Sequence, residues 1–197
     1  MSQIDESALR QLFLDARTHN GWLDGALEDA VLHRLYELLR MGPTASNCQP
    51  VRLVFVRSKE AKERLRPALS LGNVDKTMAA PATAIVAWDT KFFEMMGKLA
   101  PHSPDAGSRI AAMDPEARRR MGTLSASLQG GYLIVAARAL GLDCGPMGGF
   151  DAARLDAEFF PDGRCKSLFL VNLGHGDVAK VRPRAPRLDF DEACTIV

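Results

Sequence analysis

The stretch Met41 to Pro50, Met-Gly-Pro-Thr-Ala-Ser-Asn-Cys-Gln-Pro, sets small hydrogen-bonding side chains between two prolines. Small polar groups on a Pro-stiffened loop can approach a flat, hydrogen-bonding ligand closely, because they fill little space and the ring removes slack. Gly72-Asn-Val-Asp-Lys76 offers matching chemistry for a ring edge. Asn73 donates and accepts at once, and Lys76 brings positive charge about one turn later. In Gly141 to Phe150, Gly148 and Gly149 expose backbone with no side chain to block a planar ligand, and their amides can donate. That turn is not the dinucleotide fingerprint, since it lacks G-x-G-x-x-G and the first strand and helix of a βαβ unit around it. Arg17-Thr-His19 and Arg182-Pro-Arg184, with Arg187, carry guanidinium forks of the kind that bind phosphate oxygens. Each segment alone also reads as a surface turn, a connection or a solubilising cluster. Together they suit a phosphorylated heterocycle.

The composition narrows the partners. A chain of 197 residues reads as one domain, 1–197, large enough for a real core, and 47% apolar with 25% charged residues is ordinary for a soluble globular protein. A net charge of +1 gives no case for nucleic acid or an anionic membrane. Charges break every apolar run before a bilayer could be spanned, and the acidic, polar start is no signal peptide, so the expected location is the cytoplasm. Cys48, Cys144, Cys165 and Cys194 form no C-x-x-C, and His19, His33, His102 and His175 have no metal-ligand spacing. Buried thiols and no metal site are the expectation; Cys48, inside the polar loop, is the one candidate for a reactive thiol.

The elements that must position these residues follow from periodicity and caps. Glu6–Ala16 and Leu27–Met41 read as helices, the second with Leu27, Val31, Leu35, Leu38 and Leu39 on one face and Gly42-Pro43 as its stop. Val51–Arg57 reads as a strand, Ser58 as the cap of a helix from Lys59 to about Arg66, Gly72-Asn73 as a turn into a short helix, and Thr83–Trp88 as a second strand. Lys91–Leu99 suggests a helix and His102–Asp105 a loop. Asp114-Pro115-Glu116 opens the longest helix, to Leu140, with Gly130-Gly131 inside it where another backbone is expected to pack. Asp143–Pro146 is extended, Asp151–Phe160 helical, and Ser167–Leu173 a central strand. The fold class is α+β. The tail, 178–197, is expected to dock on a partner subunit, because Phe190, Cys194 and Ile196 would otherwise be exposed.

The order of these segments resembles the nitroreductase family of FMN-dependent oxidoreductases over roughly residues 7 to 194. The motifs are Arg17-x-His19, Pro43-Thr-Ala-Ser-Asn-x-Gln-Pro50, Asn73-x-x-Lys76, Gly141-Leu-Asp-x-Gly-Pro-Met-Gly-Gly-Phe-Asp151 and the Pro-Arg tail. Ala16–Trp22, Ser46–Pro50, Gly72–Thr77 and Gly174–Asp177 look most like the malonic semialdehyde reductases of pyrimidine degradation. The resemblance implies an α/β sandwich with a central mixed sheet surrounded by helices, in a homodimer with FMN at the interface. It implies that Arg17 and His19 lie near the FMN phosphate and ribityl chain, with Arg182 and Arg184 completing the clamp. Arg187 can replace Arg182 in an alternative alignment of the tail. Asn73 and Lys76 would face the pyrimidine edge, with Pro146, Met147, Gly148 and Gly149 along the other side. Pro43, Thr44, Ser46 and Asn47 would come from the partner. His19, where many members have Ser, and Val51, where many have an aromatic, depart from the family pattern.

On this resemblance hydride passes from NADPH or NADH through flavin N5 to an acceptor in ping-pong order, with Lys76 and the Gly148 amide polarising the ring and no protein nucleophile. The implied acceptor is malonic semialdehyde, reduced to 3-hydroxypropionate; Arg52, His102 and Arg109 are candidates for its carboxylate, His102 for a proton donor, and Phe92 and Phe93 for a lid. A broad nitroaromatic or quinone reductase is the alternative enzyme. A flavin carrier without turnover and a non-enzymatic scaffold are the readings from other classes.

Overall fold

A computed structural model describes residues 2–197. The helices are α1 (Glu6–Leu9), α2 (Asp29–Leu39), α3 (Lys59–Leu65), α4 (Leu71–Ala79), α5 (Met96–Leu99), α6 (Ala106–Ala111), α7 (Pro115–Ala139), α8 (Ala152–Phe159) and α9 (Phe190–Ala193). The strands are β1 (Val51–Val56), β2 (Ala82–Asp89), β3 (Asp143–Met147) and β4 (Cys165–Gly174), in the order β1-β2-β4-β3. The α+β sandwich is as expected, with one correction. All four strands pair antiparallel rather than as a mixed sheet, and the parallel contact is an isolated bridge from Thr18 to Cys144. Connectivity explains this. Val56 leaves β1 opposite Thr83, and Met147 leaves β3 opposite Leu170, so these two helical excursions return the chain to the end of the sheet it left. The excursion through α7 instead crosses to the other end and enters β3, which β4 separates from β2. A parallel neighbour would require crossing the whole sheet.

β2 is buried at all eight positions, which its unalternating Ala-Thr-Ala-Ile-Val-Ala-Trp-Asp sequence already signals: both faces are covered. One apolar cluster joins α2, α7 and the sheet through Leu35, Leu39, Val86, Leu133 and Val171; the other joins α3, α8 and the opposite face through Leu65, Ile85, Leu155 and Leu170. The terminal strands of the sheet are β1 and β3, and β3 carries the glycine turn.

Several boundaries shift for local reasons. The first helix breaks into α1 and a π-helical turn, Arg10–Leu14. Gly72-Asn73 lie inside the first turn of α4, which begins at Leu71. The segment from Lys91 splits into a 3-10 turn, Phe92–Met95, and α5, and α6 follows the His102–Asp105 loop. Ser58 and Asp114 cap α3 and α7 as expected, Asp114 accepting from the Glu116 and Ala117 amides. Within α7, Gln129 is buried and accepts from the Val51 amide at 3.2 Å, so the helix holds the first residue of β1.

Gly130 explains its own cost. A Cβ there would collide with the Phe169 ring of β4 and lie 3.3 Å from Val86 Cγ1, whereas Gly131 faces open space. The close neighbour is thus the sheet's side chains, not another backbone. Gly130→Ala should destabilise the protein by about 1–3 kcal/mol in urea denaturation, despite the better helix propensity of Ala.

Candidate functional site

The segment around Arg17 is strapped to the sheet by backbone. The His19 amide donates to Cys144 O at 3.0 Å, the Leu23 amide to His175 O at 2.8 Å, and the Asp177 amide to Gly21 O at 3.0 Å. Trp22 bridges Gly176. The start of the tail then folds back on the same segment. Arg17 donates to Arg182 O, and Arg184 donates to Leu14 O at 2.6 Å and Ala16 O at 3.1 Å. Residues up to Arg184 therefore dock on their own chain. The hydrogen bonds of residues 187–194 are local.

This fold-back encloses a cavity of about 260 Å³ lined by Arg17, Asn20, Arg138, Arg182, Arg184 and Arg187, with no carboxylate in its wall. The two alignments of the tail are both accommodated, since all three tail arginines line it. Such a set of forks matches a phosphate dianion. Lys76 Nζ donates to Asn20 Oδ1 at 3.3 Å, joining α4 to the cavity. Burial, and then the charge of Arg182, push the Lys76 ammonium below its ordinary pKa. One turn earlier on α4, Asn73 Nδ2 donates to Gly149 O at 2.7 Å, and the Ser70 amide donates to the same oxygen at 3.1 Å. Asn73 Oδ1 is left as an acceptor. A Cβ on Gly149 would sit 2.5 Å from Asn73 Nδ2, while one on Gly148 would meet nothing within 4 Å. The arginine cavity, Lys76, Asn73 and the Gly148-Gly149 ledge thus form a connected series.

The other expected residues fall elsewhere. His19 does not line the cavity. Its side chain is buried, with Nε2 3.3 Å from Asp143 Oδ1, no partner at Nδ1, and Gly176 pressed against the ring. It acts as an anchor beneath the Arg17 segment. Met147 points inward, its sulfur accepting from Thr77 Oγ1 at 3.5 Å, and Pro146 is half-buried, so both can offer only backbone or ring surface. The loop of Pro43, Thr44, Ser46 and Asn47 is tied to two helices: the Ala45 amide donates to Ser125 Oγ of α7, and Asn47 Nδ2 donates to Leu99 O at the end of α5 at 2.8 Å. None lines the arginine cavity. Ser46, Asn47 and Gln49 hold φ of 51°, 55° and 39°, so the loop is committed to this shape.

The reactive-thiol and lid candidates take structural places. Cys48 is buried and its thiol is pushed up by burial, and burial pushes Cys144 up to about 12, which suppresses the thiolate. Phe92 is fully buried in the core. Arg52 pairs with buried Asp89 at 2.7 Å, Arg164 holds the same carboxylate at 3.0 Å, and Arg109 pairs with Asp105. A cavity of about 860 Å³ lined by α2 and β1 residues holds none of the expected flavin residues. Among the described residues no group of His, Cys, Asp and Glu gathers as a metal cluster, and no helix is long and apolar enough to cross a membrane. Two wall residues escaped the motif search. Asn20 directly follows Arg-Thr-His, a usable signal; Arg138, near the end of α7, gives none.

Residues 17–175 match the family model described as the nitroreductase family. The chain belongs to this family. A Ralstonia nicotianae protein named "putative NADH dehydrogenase/NAD(P)H nitroreductase" is 54% identical over 100% of both chains. A Stutzerimonas stutzeri protein of the same name is 55% identical over 98% of this chain and 97% of its own. A nitroreductase structure from Exiguobacterium sibiricum, titled as a complex with FMN, superposes with TM-score 0.88 at 17% identity over 100% of both chains, which establishes the shared fold. As a nitroreductase, the chain is an FMN-dependent NAD(P)H oxidoreductase. Its residues fit that cofactor: an acid-free arginine cavity for the phosphate, and a ledge that a Cβ at Gly149 would fill.

Gly149→Ala displaces the Asn73 amide and should lower FMN affinity by about tenfold or more, the loss of one well-placed polar contact. Gly148→Ala should leave the melting temperature of the apoprotein unchanged while weakening FMN. Fluorescence titration with thermal melts checks both.

Proposed function

We propose that the chain reduces a small carboxylate-bearing aldehyde, malonic semialdehyde, to 3-hydroxypropionate with NADPH or NADH in pyrimidine degradation, in the cytoplasm. The observation that carries the site is the continuous run from the arginine cavity through Lys76 and Asn73 to the glycine ledge. The acceptor rests on the four segments that resemble malonic semialdehyde reductases, and the cytoplasm on four unpaired cysteines. Reduction of nitroaromatics or quinones is the second reading, favoured by the relatives named NAD(P)H nitroreductase.

Bound FMN supplies two-electron hydride transfer. The chain's own residues do the rest. Arg17, Arg182 and Arg184 hold the phosphate, supported by Arg138 and Arg187. Asn73 keeps its NH2 on Gly149 O and presents Oδ1 to an imide N–H. Lys76 lowers the cost of negative charge on the ring edge, and the Gly148 amide donates from the ledge. Lys76 does this only while protonated, so its contribution fades as pH rises through its lowered pKa, earlier than for an ordinary lysine.

The second half of the site is proposed to come from another copy. Leu124, Leu128 and Tyr132 form an exposed stripe on α7 at four-residue spacing, next to the loop of Pro43, Thr44, Ser46 and Asn47, and Tyr132 packs on Gly42. Leu188, Phe190, Ile196 and Val197 of the arm are exposed as well. A homodimer covers these faces and brings the loop to the partner's ledge.

Purified protein mixed with FMN and desalted should keep a flavin band that NADPH bleaches under anaerobic conditions. Reoxidation by malonic semialdehyde faster than by a nitroaromatic or a quinone supports the first reading; the reverse order supports the second. Light scattering should give the mass of two chains. Leu128→Arg should yield monomer that loses FMN although its arginine cavity is intact.

A further inference from the structure

Lys62, on α3, is 4% exposed, and among the described residues its ammonium pairs with no carboxylate but with backbone carbonyls. Nζ donates to Thr77 O at 2.8 Å, to Met78 O at 3.3 Å and to Ala80 O. These carbonyls form the C-terminal end of α4. Lys76 O, just before them, accepts from Trp22 Nε1 at 2.9 Å and Asn172 Nδ2 at 3.3 Å. A helix end leaves its last carbonyls without intrahelical partners, and its partial negative charge favours a cation. Here side chains from α3, β4 and the Trp22 segment supply the partners, and the cation is buried.

Stopping a helix does not require this. A glycine after the last turn commonly satisfies the carbonyls, and an uncompensated buried ammonium is expensive. What distinguishes α4 is its cargo. It carries Asn73 and Lys76, and it is pinned at its other end by the Ser70 and Asn73 bonds to Gly149 O. Resting on the FMN reading above, we infer that Lys62 is a positioning residue for the flavin: its charged, three-way clamp on the end of α4 fixes the helix so that Asn73 meets the ledge and Lys76 meets the ring edge.

The charged state has an observable boundary. Lys62 lines a cavity of about 750 Å³ whose other charged residues are Arg57 and Lys59; Arg57 is spent on Leu27 O and Asp29, and α4 itself carries Asp75 and Lys76. Burial pulls the Lys62 amine down to about 8. Below that the clamp has three donors and a charge; above it one donor and the charge are gone. FMN affinity therefore falls as pH rises through about 8. The linkage to folding runs the other way. Between about 8 and the ordinary lysine pKa of about 10.5 the unfolded chain binds the proton and the folded chain does not, so this group's contribution to stability rises with pH. A merely structural lysine would not separate the two.

The test is an FMN titration by flavin fluorescence from about pH 7 to about pH 9.5 on wild type, Lys62→Met and Lys76→Met, with a thermal melt of each apoprotein. Wild type should weaken by about tenfold across the range, the worth of one charge-assisted hydrogen bond. Lys62→Met should start about tenfold weaker at pH 7 and lose the step near pH 8, while Lys76→Met keeps it. A folded Lys62→Met with a lower melting temperature but wild-type affinity and pH profile overturns the inference. If Lys62→Met does not fold, a Lys76→Met profile without the step overturns it. Wild type that binds no FMN at any pH overturns the cofactor site together with the inference, and that failure shows in the wild-type curve alone.

Discussion

Five arginines facing one small cavity without a carboxylate repel one another, and the rest of the site is arranged to hold them there. Backbone carbonyls do much of this work. Arg17 donates to Arg182 O, Arg184 to Leu14 O and Ala16 O, and Arg138 to Leu12 O at 3.0 Å. A carbonyl orients a guanidinium and satisfies some of its donors without cancelling its charge, as a carboxylate would. The cavity thus keeps its net positive field. The contrast within the chain is sharp: Arg52 and Arg164 share buried Asp89, and that pairing leaves them a structural role.

The same economy explains why the chain ends meet. Neither the Arg17 segment nor the start of the tail has a strand or long helix of its own to stand on. They are stiff because each borrows the other's carbonyls, and because the Arg17 segment is laced to β3 and to the turn after β4 through Thr18, His19, Gly21, Trp22 and Leu23. His19 completes that lacing from below, filling the space that Gly176 vacates and facing Asp143, which also accepts from the Gly176 amide at 2.8 Å. The buried imidazole is thus spent on packing between Gly176 and Asp143.

Legibility in the sequence divides along physical lines. The sandwich, the caps at Ser58 and Asp114, the strand that became β2 and the long helix were readable, because periodicity and capping act over a few residues. Arg17, Asn73, Lys76, Gly149 and the tail arginines were readable as candidates through their chemistry and their order. Arg138 was not, because nothing local marks one arginine on a helix as facing a cavity formed by the two chain ends. Lys62 was invisible for the same reason. It sits in Lys-Glu-Ala-Lys-Glu-Arg-Leu, which reads as a solvated helix face, and only the position of α4 reveals that one of those lysines turns inward. His19 was legible as a position but not as a role: its backbone belongs to the strap, and its ring is consumed by Asp143 and Gly176.

The polar loop that speaks first in the sequence is the part of the site most separated from the rest within one chain. Its left-handed residues and its bonds to Ser125 of α7 and Leu99 of α5 hold it between those helices, beside an exposed apolar stripe, while Asn73 and the ledge belong to α4 and the segment after β3. A loop so rigid, carrying Thr44, Ser46 and Asn47, is poorly explained as a surface turn. The proposed homodimer would give it a role, as half of a binding site whose other half is on a second copy. A rigid loop costs little further ordering when a ligand arrives, so the fixed left-handed conformations of Ser46, Asn47 and Gln49 would favour binding by preorganisation.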